Sequence, residues 1–289
     1  MLTVLLGVSG ALIYGGADFF GGLAARRSST LLVTLGVALV GLAGLLVASV
    51  FVTGNSSAEA WIYGAASGIA GGIGIGLLYG SLAIGPMSIL SPTTAFLSAV
   101  VPVSVGISLG EGGGWPFFIA IGLALVAVVL VGFVPEQGAV RPKPVGLLMA
   151  IGSGTFIGFT VILIDLSPAD SGLIPLLANR IASSSLLLLA VVALMAYRVI
   201  RAQVPVLPGL AQLPAVWPIV LGAGILDVGA NVVVLWGLRI GDLSVMSVLI
   251  ALYPAGTILL ASLVLKERIA LVQWIGLGLA LVASALLSL

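Results

Sequence analysis

Histidine and cysteine are both absent from this chain of 289 residues. Without histidine, the commonest ligand for haem, zinc or copper is missing, and no Ser/His or Cys/His nucleophile can be assembled. Without cysteine there is no disulfide, no thiol chemistry and no Cys-based metal cluster. Charge is scarce as well. Asp, Glu, Lys and Arg make up 7% of the residues and sum to +1, which offers no field for nucleic acid. The two lysines, Lys143 and Lys266, sit outside any Gly-rich phosphate loop, so no nucleotide-driven pump is encoded. Neither lies within an apolar run, which excludes a retinal Schiff base. No cofactor and no metal are expected, and the chain does not read as an enzyme.

What is present is hydrocarbon. The residues are 61% hydrophobic, with a mean hydropathy of +1.36. No soluble domain hides that much apolar surface, and runs of about 18 apolar residues or more recur along the chain. Ten spans are expected, near 2–25, 31–52, 61–82, 87–109, 115–134, 144–164, 172–197, 216–238, 243–265 and 269–289. Each is long enough for a core of roughly 30 Å. Helix follows because backbone polar groups in lipid must be satisfied within the segment, and the runs lack the alternation of barrel strands. The chain starts with no basic n-region, so its first apolar run reads as a retained span. The fold class is an all-α membrane protein, with the lipid bilayer as its first partner.

The second half repeats the first. Residues 78–111 have a counterpart at 235–267, in which an aromatic-Gly pair, an Ile-Gly, a later Ser and a closing Glu recur (Gly85 and Glu111 against Gly241 and Glu267). Residues 1–134 hold five spans and residues 144–289 hold five more, joined by a polar, proline-rich linker at 135–143. An odd number of spans per copy turns the second copy upside down, the inverted-repeat architecture of alternating-access transporters. Arg26, Arg27, Arg141, Lys143, Arg198, Arg201, Lys266 and Arg268 fall in loops on one face, and only Arg239 on the other. The positive-inside rule makes the first face, and the linker, cytoplasmic in a plasma (inner) membrane and places both termini outside.

Ionisable groups inside spans are costly and therefore functional candidates. Asp18 lies late in the first span, with Tyr14 one turn earlier on the same face. Asp227 and Asn231 form an i, i+4 pair in the eighth span. Arg180 lies about 12 Å inside the outer end of the seventh. The structural alternative is a buried carboxylate neutralised by Arg180, with Asp227 as its partner; the functional one is proton carriage by Asp227 or Asp18. Glu59, Glu136, Asp165, Asp170, Asp242 and Glu267 read as solvated. On the fourth span Ser88, Ser91, Thr94 and Ser98 share a face beside Pro92. On its repeat mate Ser244 and Ser247 precede Tyr253-Pro254. Either the hydroxyls bond back to their own helices, or the recurring face lines a cavity with Ser91, Thr94 and Tyr253 on its wall. Gly64, Gly68, Gly72, Gly76 and Gly80 form a stripe on the third span that lets a neighbouring backbone approach.

The stretch Ser247-Val-Leu-Ile-Ala-Leu-Tyr-Pro254, the turn Leu265-Lys-Glu-Arg268 and Trp274-Ile-Gly276, within two five-span copies, resemble the drug/metabolite transporter superfamily and its ten-helix EamA-type branch. In the first copy Gly110-Glu111 is followed by glycines and no arginine, which marks the arginine of this turn as dispensable. The resemblance implies a basket-like bundle whose central cavity is made mainly by helices one, three, four, six, eight and nine. It also implies uptake or export of small metabolites without ATP. Many relatives place their termini in the cytoplasm, whereas the charges here argue the reverse. The expected function is secondary-active transport of a small polar or amphipathic metabolite by alternating access, coupled to protons or driven by exchange, in a monomer or dimer. The rivals are a passive uniporter or channel with structural charges, and an enzyme acting on lipid carriers.

Orientation is testable because the chain offers no competing thiol. A single cysteine at Ser28 should be shielded from an impermeant thiol reagent in intact cells, and a reporter fused after Leu289 should behave as extracytoplasmic. Rapid labelling at Ser28 from outside would reverse the topology.

Overall fold

The computed structural model describes residues 1–84, 87–133, 142–200, 209–266 and 268–287, apart from the side chains of residues 79, 82, 83, 87 and 88. The Gly85-Pro86 turn, most of the 135–143 linker with Glu136 and Arg141, Arg201, Glu267, the last two residues and the Ser88 side chain lie outside the described residues.

Helices account for all the regular structure described. They are α1 (Leu2–Ala25), α2 (Thr30–Phe51), α3 (Ala58–Ile84), α4 (Met87–Ser108), α5 (Trp115–Gly132), α6 (Pro144–Asp165), α7 (Ile174–Ile200), α8 (Leu213–Ile240), α9 (Leu243–Ile250), α10 (Tyr253–Val264) and α11 (Leu271–Leu286). A single 3-10 turn, Ala169–Ser171, sits between α6 and α7. Pro116, Pro144 and Pro254 stand in the first turn of α5, α6 and α10, where a missing N–H costs nothing. Eight spans are each one continuous helix, α11 makes a shorter tenth, and α9 with α10 together cover the length of the ninth.

That broken ninth span departs from the continuous helix expected over 243–265. Pro254 has no N–H to give the carbonyl of Ile250, and its ring crowds that carbonyl. The helix therefore stops at Ile250, passes two turn residues and restarts at Tyr253. The fourth span tolerates Pro92 and Pro102 within one helix. The break is packed against α1: a Cβ at Gly15 would lie 2.6 Å from Gly256 Cα, and the Thr257 hydroxyl donates to the Gly15 carbonyl at 3.1 Å. Only glycine lets α1 approach this closely.

The two halves interlock. α1 packs on α8 as α6 packs on α3, and α1 packs on α9 and α10 as α6 packs on α4. α2 meets α8 as α7 meets α3. The remaining major pairs, α2 with α7, α4 with α9 and α5 with α11, join an element to its own repeat mate. Almost every helix thus finds its main neighbour in the other half, as an inverted repeat requires.

The glycine stripe on α3 is where this interlock is tightest. Gly64 and Gly68 lie against the α7 backbone at Pro175 and Asn179, and Gly72 faces only the Leu186 side chain. Gly76 faces open space. Polar side chains pin α3 on two sides: Asn179 Nδ2 of α7 donates to Ser67 Oγ at 2.7 Å, and Ser153 Oγ of α6 donates to the Gly74 carbonyl at 2.7 Å. Place in the stripe would make Gly72, at its centre, the most sensitive; the packing transfers that role to Gly64 and Gly68, because a backbone cannot move aside as a leucine can. Gly64→Leu and Gly68→Leu should each destabilise by about 1–3 kcal/mol or more. Gly72→Leu should be milder and Gly76→Leu near neutral, as read by thermal melting and by monodispersity in size exclusion.

Candidate functional site

The middle of the bundle holds an ion pair. Arg180 of α7 and Asp227 of α8 are joined through Nη2 and Oδ2, with side chains only 14% and 17% exposed. Both helices pack on α2, and Gly41 of α2 makes the space. A Cβ there would already sit 3.4 Å from Asp227 Oδ2 and 3.6 Å from Arg180 Nε. The Nε hydrogen is buried with no acceptor, so the pair rests on one strong contact and its opposite charges. A lone charge in this medium would be far costlier than the pair.

Asn231 does not support the Asp227 carboxylate, as its spacing suggests. Its Nδ2 donates at 2.7 Å to the backbone carbonyl of Asp227, one turn back in the same helix. Tyr14 stands half-buried on α1, within electrostatic reach of Asp227, Arg180 and Asp18. Asp18, one turn on, is exposed and makes no hydrogen bond or ion pair among the described residues. It faces a cavity of about 360 Å³ enclosed by α1, α10 and the start of α11. Arg26, Arg268, Thr257 and Gln273 share this cavity with apolar side chains such as Phe19 and Ile258. It opens between fewer elements than the six-helix central cavity that the resemblance implies.

The hydroxyl stripes take other roles. Thr94 is buried, and its Oγ1 donates to the Ala150 carbonyl at 3.2 Å, stitching α4 to α6 instead of lining the cavity. Ser98 bonds back to the Ala95 carbonyl at 2.8 Å. Ser91 is half-buried on α4, and Tyr253 is half-buried at the helix break beside Gly15. Neither lines the Asp18 cavity. The structure therefore gathers Tyr14, Asp18, Arg180 and Asp227 and leaves Ser91 and Thr94 in a separate seam.

Several polar residues escaped the sequence reading. Arg26 and Arg268 look like orientation charges in flanking loops, and nothing in their spacing shows that they share a cavity with Asp18. Asp165 is half-buried, not solvated, beside Arg239 at the same end of the bundle. Arg239 donates to the Ser167 carbonyl at 2.5 Å and to its hydroxyl at 2.7 Å. Asp242, just outside the α9 span, has its carboxyl pushed up by desolvation and then by the neighbouring Glu111 charge.

Residues 144–289 match the model of the EamA-like transporter family. The whole chain resembles a solved crystal structure, with a TM-score of 0.75 and 18% identity over 99% of this chain and 96% of the other. At that identity the likeness speaks for the fold alone. A search of curated proteins found no match.

The ion pair predicts a specific rescue. Asp227→Asn leaves Arg180 buried and unpaired, at a cost of roughly 3–5 kcal/mol. Arg180→Gln in the same background should restore much of that loss, read as melting temperature and folded yield of the purified variants. Equal stability of wild type and Asp227→Asn would remove the pair from the architecture.

Proposed function

Because the chain belongs to the EamA-like transporter family, whose members move small molecules across membranes, we propose that it is a secondary-active carrier working by alternating access, with Asp18 as its proton-carrying group. One observation carries this reading. Of the two carboxylates deep in the spans, Asp227 is neutralised by Arg180, while Asp18 is unpaired and faces a cavity. A carboxylate bonded to a cation is tied up in that pair; one without a partner, bordering a cavity, can gain and lose a proton as the cavity opens to either side.

The polar groups of the cavity fit a small polar or amphipathic metabolite. Asp18 offers a carboxylate, Arg26 and Arg268 offer guanidinium groups, and Phe19, Leu23 and Ile258 offer apolar wall. Tyr14, one turn before Asp18 on α1, is within electrostatic reach of both Asp18 and the Arg180–Asp227 pair. It is suited to report the state of one charge to the other. The inverted interlock of the helices supplies two related halves that can rock about these groups. The loop charges favour a plasma membrane in which the Arg26 face is cytoplasmic.

Transport in proteoliposomes tests the assignment. Asp18→Asn should abolish accumulation driven by a pH gradient, while substrate exchange at equal pH remains measurable. Asp227→Asn combined with Arg180→Gln should retain coupling. Full accumulation by Asp18→Asn would take the proton away from Asp18, and gradient-independent flux in the wild type would make the protein a passive uniporter.

A further inference from the structure

The two ends of the bundle differ. At the end carrying Glu111 and Arg239, the tips of α2, α6, α7, α8 and α9 meet in one apolar cluster that includes Leu45, Ile162, Leu173, Leu235 and Met246. The end carrying Arg26 and Arg268 holds the Asp18 cavity. Glu111 follows α4 and belongs to the first half. It reaches across to α9 in the second half, where Oε1 accepts from the Leu243 N–H at 2.7 Å and Oε2 from the Ser244 N–H at 2.8 Å. Both carboxylate oxygens are thus occupied by backbone donors that α9 itself cannot satisfy. The negative charge also meets the positive end of the helix.

The chain is shaped for this contact. Gly106 leaves room for the Glu111 carboxylate and the Ser244 hydroxyl, both of which a Cβ at that position would strike. The Glu111 N–H donates to the Gly106 carbonyl at 3.0 Å, folding the end of α4 back on itself. Gly110, with φ of +94, makes the turn. Below the contact α4 and α9 are held by apolar packing, with little hydrogen bonding between them. Ser244 Oγ reaches the Val103 carbonyl at a long 3.3 Å, and Ser247, one turn deeper, is buried with no partner for its hydroxyl. A buried hydroxyl without a partner favours a state in which water can reach it. On the exposed surface of this end Asn55 of the first half bonds Asp170 of the second.

We propose that Glu111 is the latch of a gate: its carboxylate on the N-terminus of α9 holds the Glu111 end closed, and its release lets α4 and α9 part, wetting Ser247 and closing the Asp18 cavity at the opposite end. The inference rests on the alternating-access reading above. It adds the residue that biases the two states. The latch acts through backbone donors, so it needs the charge of residue 111 and the length of its side chain, and no particular partner side chain.

The chain contains no cysteine, so single thiols report directly on access. Ser247→Cys lies beneath the latch and Ala261→Cys lines the Asp18 cavity. In purified protein, open to reagent from both ends, a charged methanethiosulfonate should label Ala261→Cys readily and Ser247→Cys slowly. Adding Glu111→Gln should raise labelling at Ser247→Cys by about tenfold, the shift expected when one charge-assisted hydrogen bond leaves a two-state equilibrium. Labelling at Ala261→Cys should fall by the share of molecules that pass to the released state. Glu111→Asp, which keeps the charge but cannot span both donors, should lie between, and it carries the test if Glu111→Gln fails to fold. Unchanged labelling at Ser247→Cys, or a rise there without a fall at Ala261→Cys, would overturn the latch. Reciprocal labelling together with flux indifferent to a pH gradient would keep the latch and discard proton coupling; coupled transport with unaltered labelling would do the opposite.

Discussion

Every backbone N–H and C=O in these spans must be satisfied without water, and the architecture follows from that demand. Helices meet it within each segment, which leaves side chains to bring the segments together. Lipid offers no hydrophobic drive for that step, so close approach and hydrogen bonding must provide it. Gly64, Gly68 and Gly15 admit neighbouring backbones, Ser153, Thr94 and Thr257 donate hydroxyls across to other helices, and Ser67 accepts from Asn179. The break before Pro254 is tolerated because α1 covers it.

The same demand sorts the charges. Arg180 and Asp227 remain in the interior because they neutralise each other against Gly41. Arg239 is held by the carbonyl and hydroxyl of Ser167. Glu111 is held by two backbone donors of another helix. Each is answered by protein. Asp18 is the exception among the acids deep in the spans, answered only by a cavity, and that contrast points to it as the mobile charge.

The contacts between halves are of two kinds. Reciprocal pairs such as α1 with α8 and α3 with α6 bury small residues over long seams. The polar ties between the halves at the bundle ends are local among the described residues: Glu111 on α9, Asn55 on Asp170, Ser28 on Gly209.

Much of this was legible in the sequence because hydropathy and repetition are local properties. Span positions, helical class, the second copy and the glycine stripe all follow from residue spacing along one chain. So does the membership of Arg180 and Asp227 in the interior, since any charge within an apolar run must be buried or functional. That Arg180 and Asp227 do pair, which glycines touch backbone, that Thr94 joins a seam while Arg26 and Arg268 share a cavity with Asp18, and that Glu111 crosses to α9 are relations between helices far apart in sequence. Spacing along a helix sets the face on which a side chain stands; only the packing of the other helices decides what that face meets.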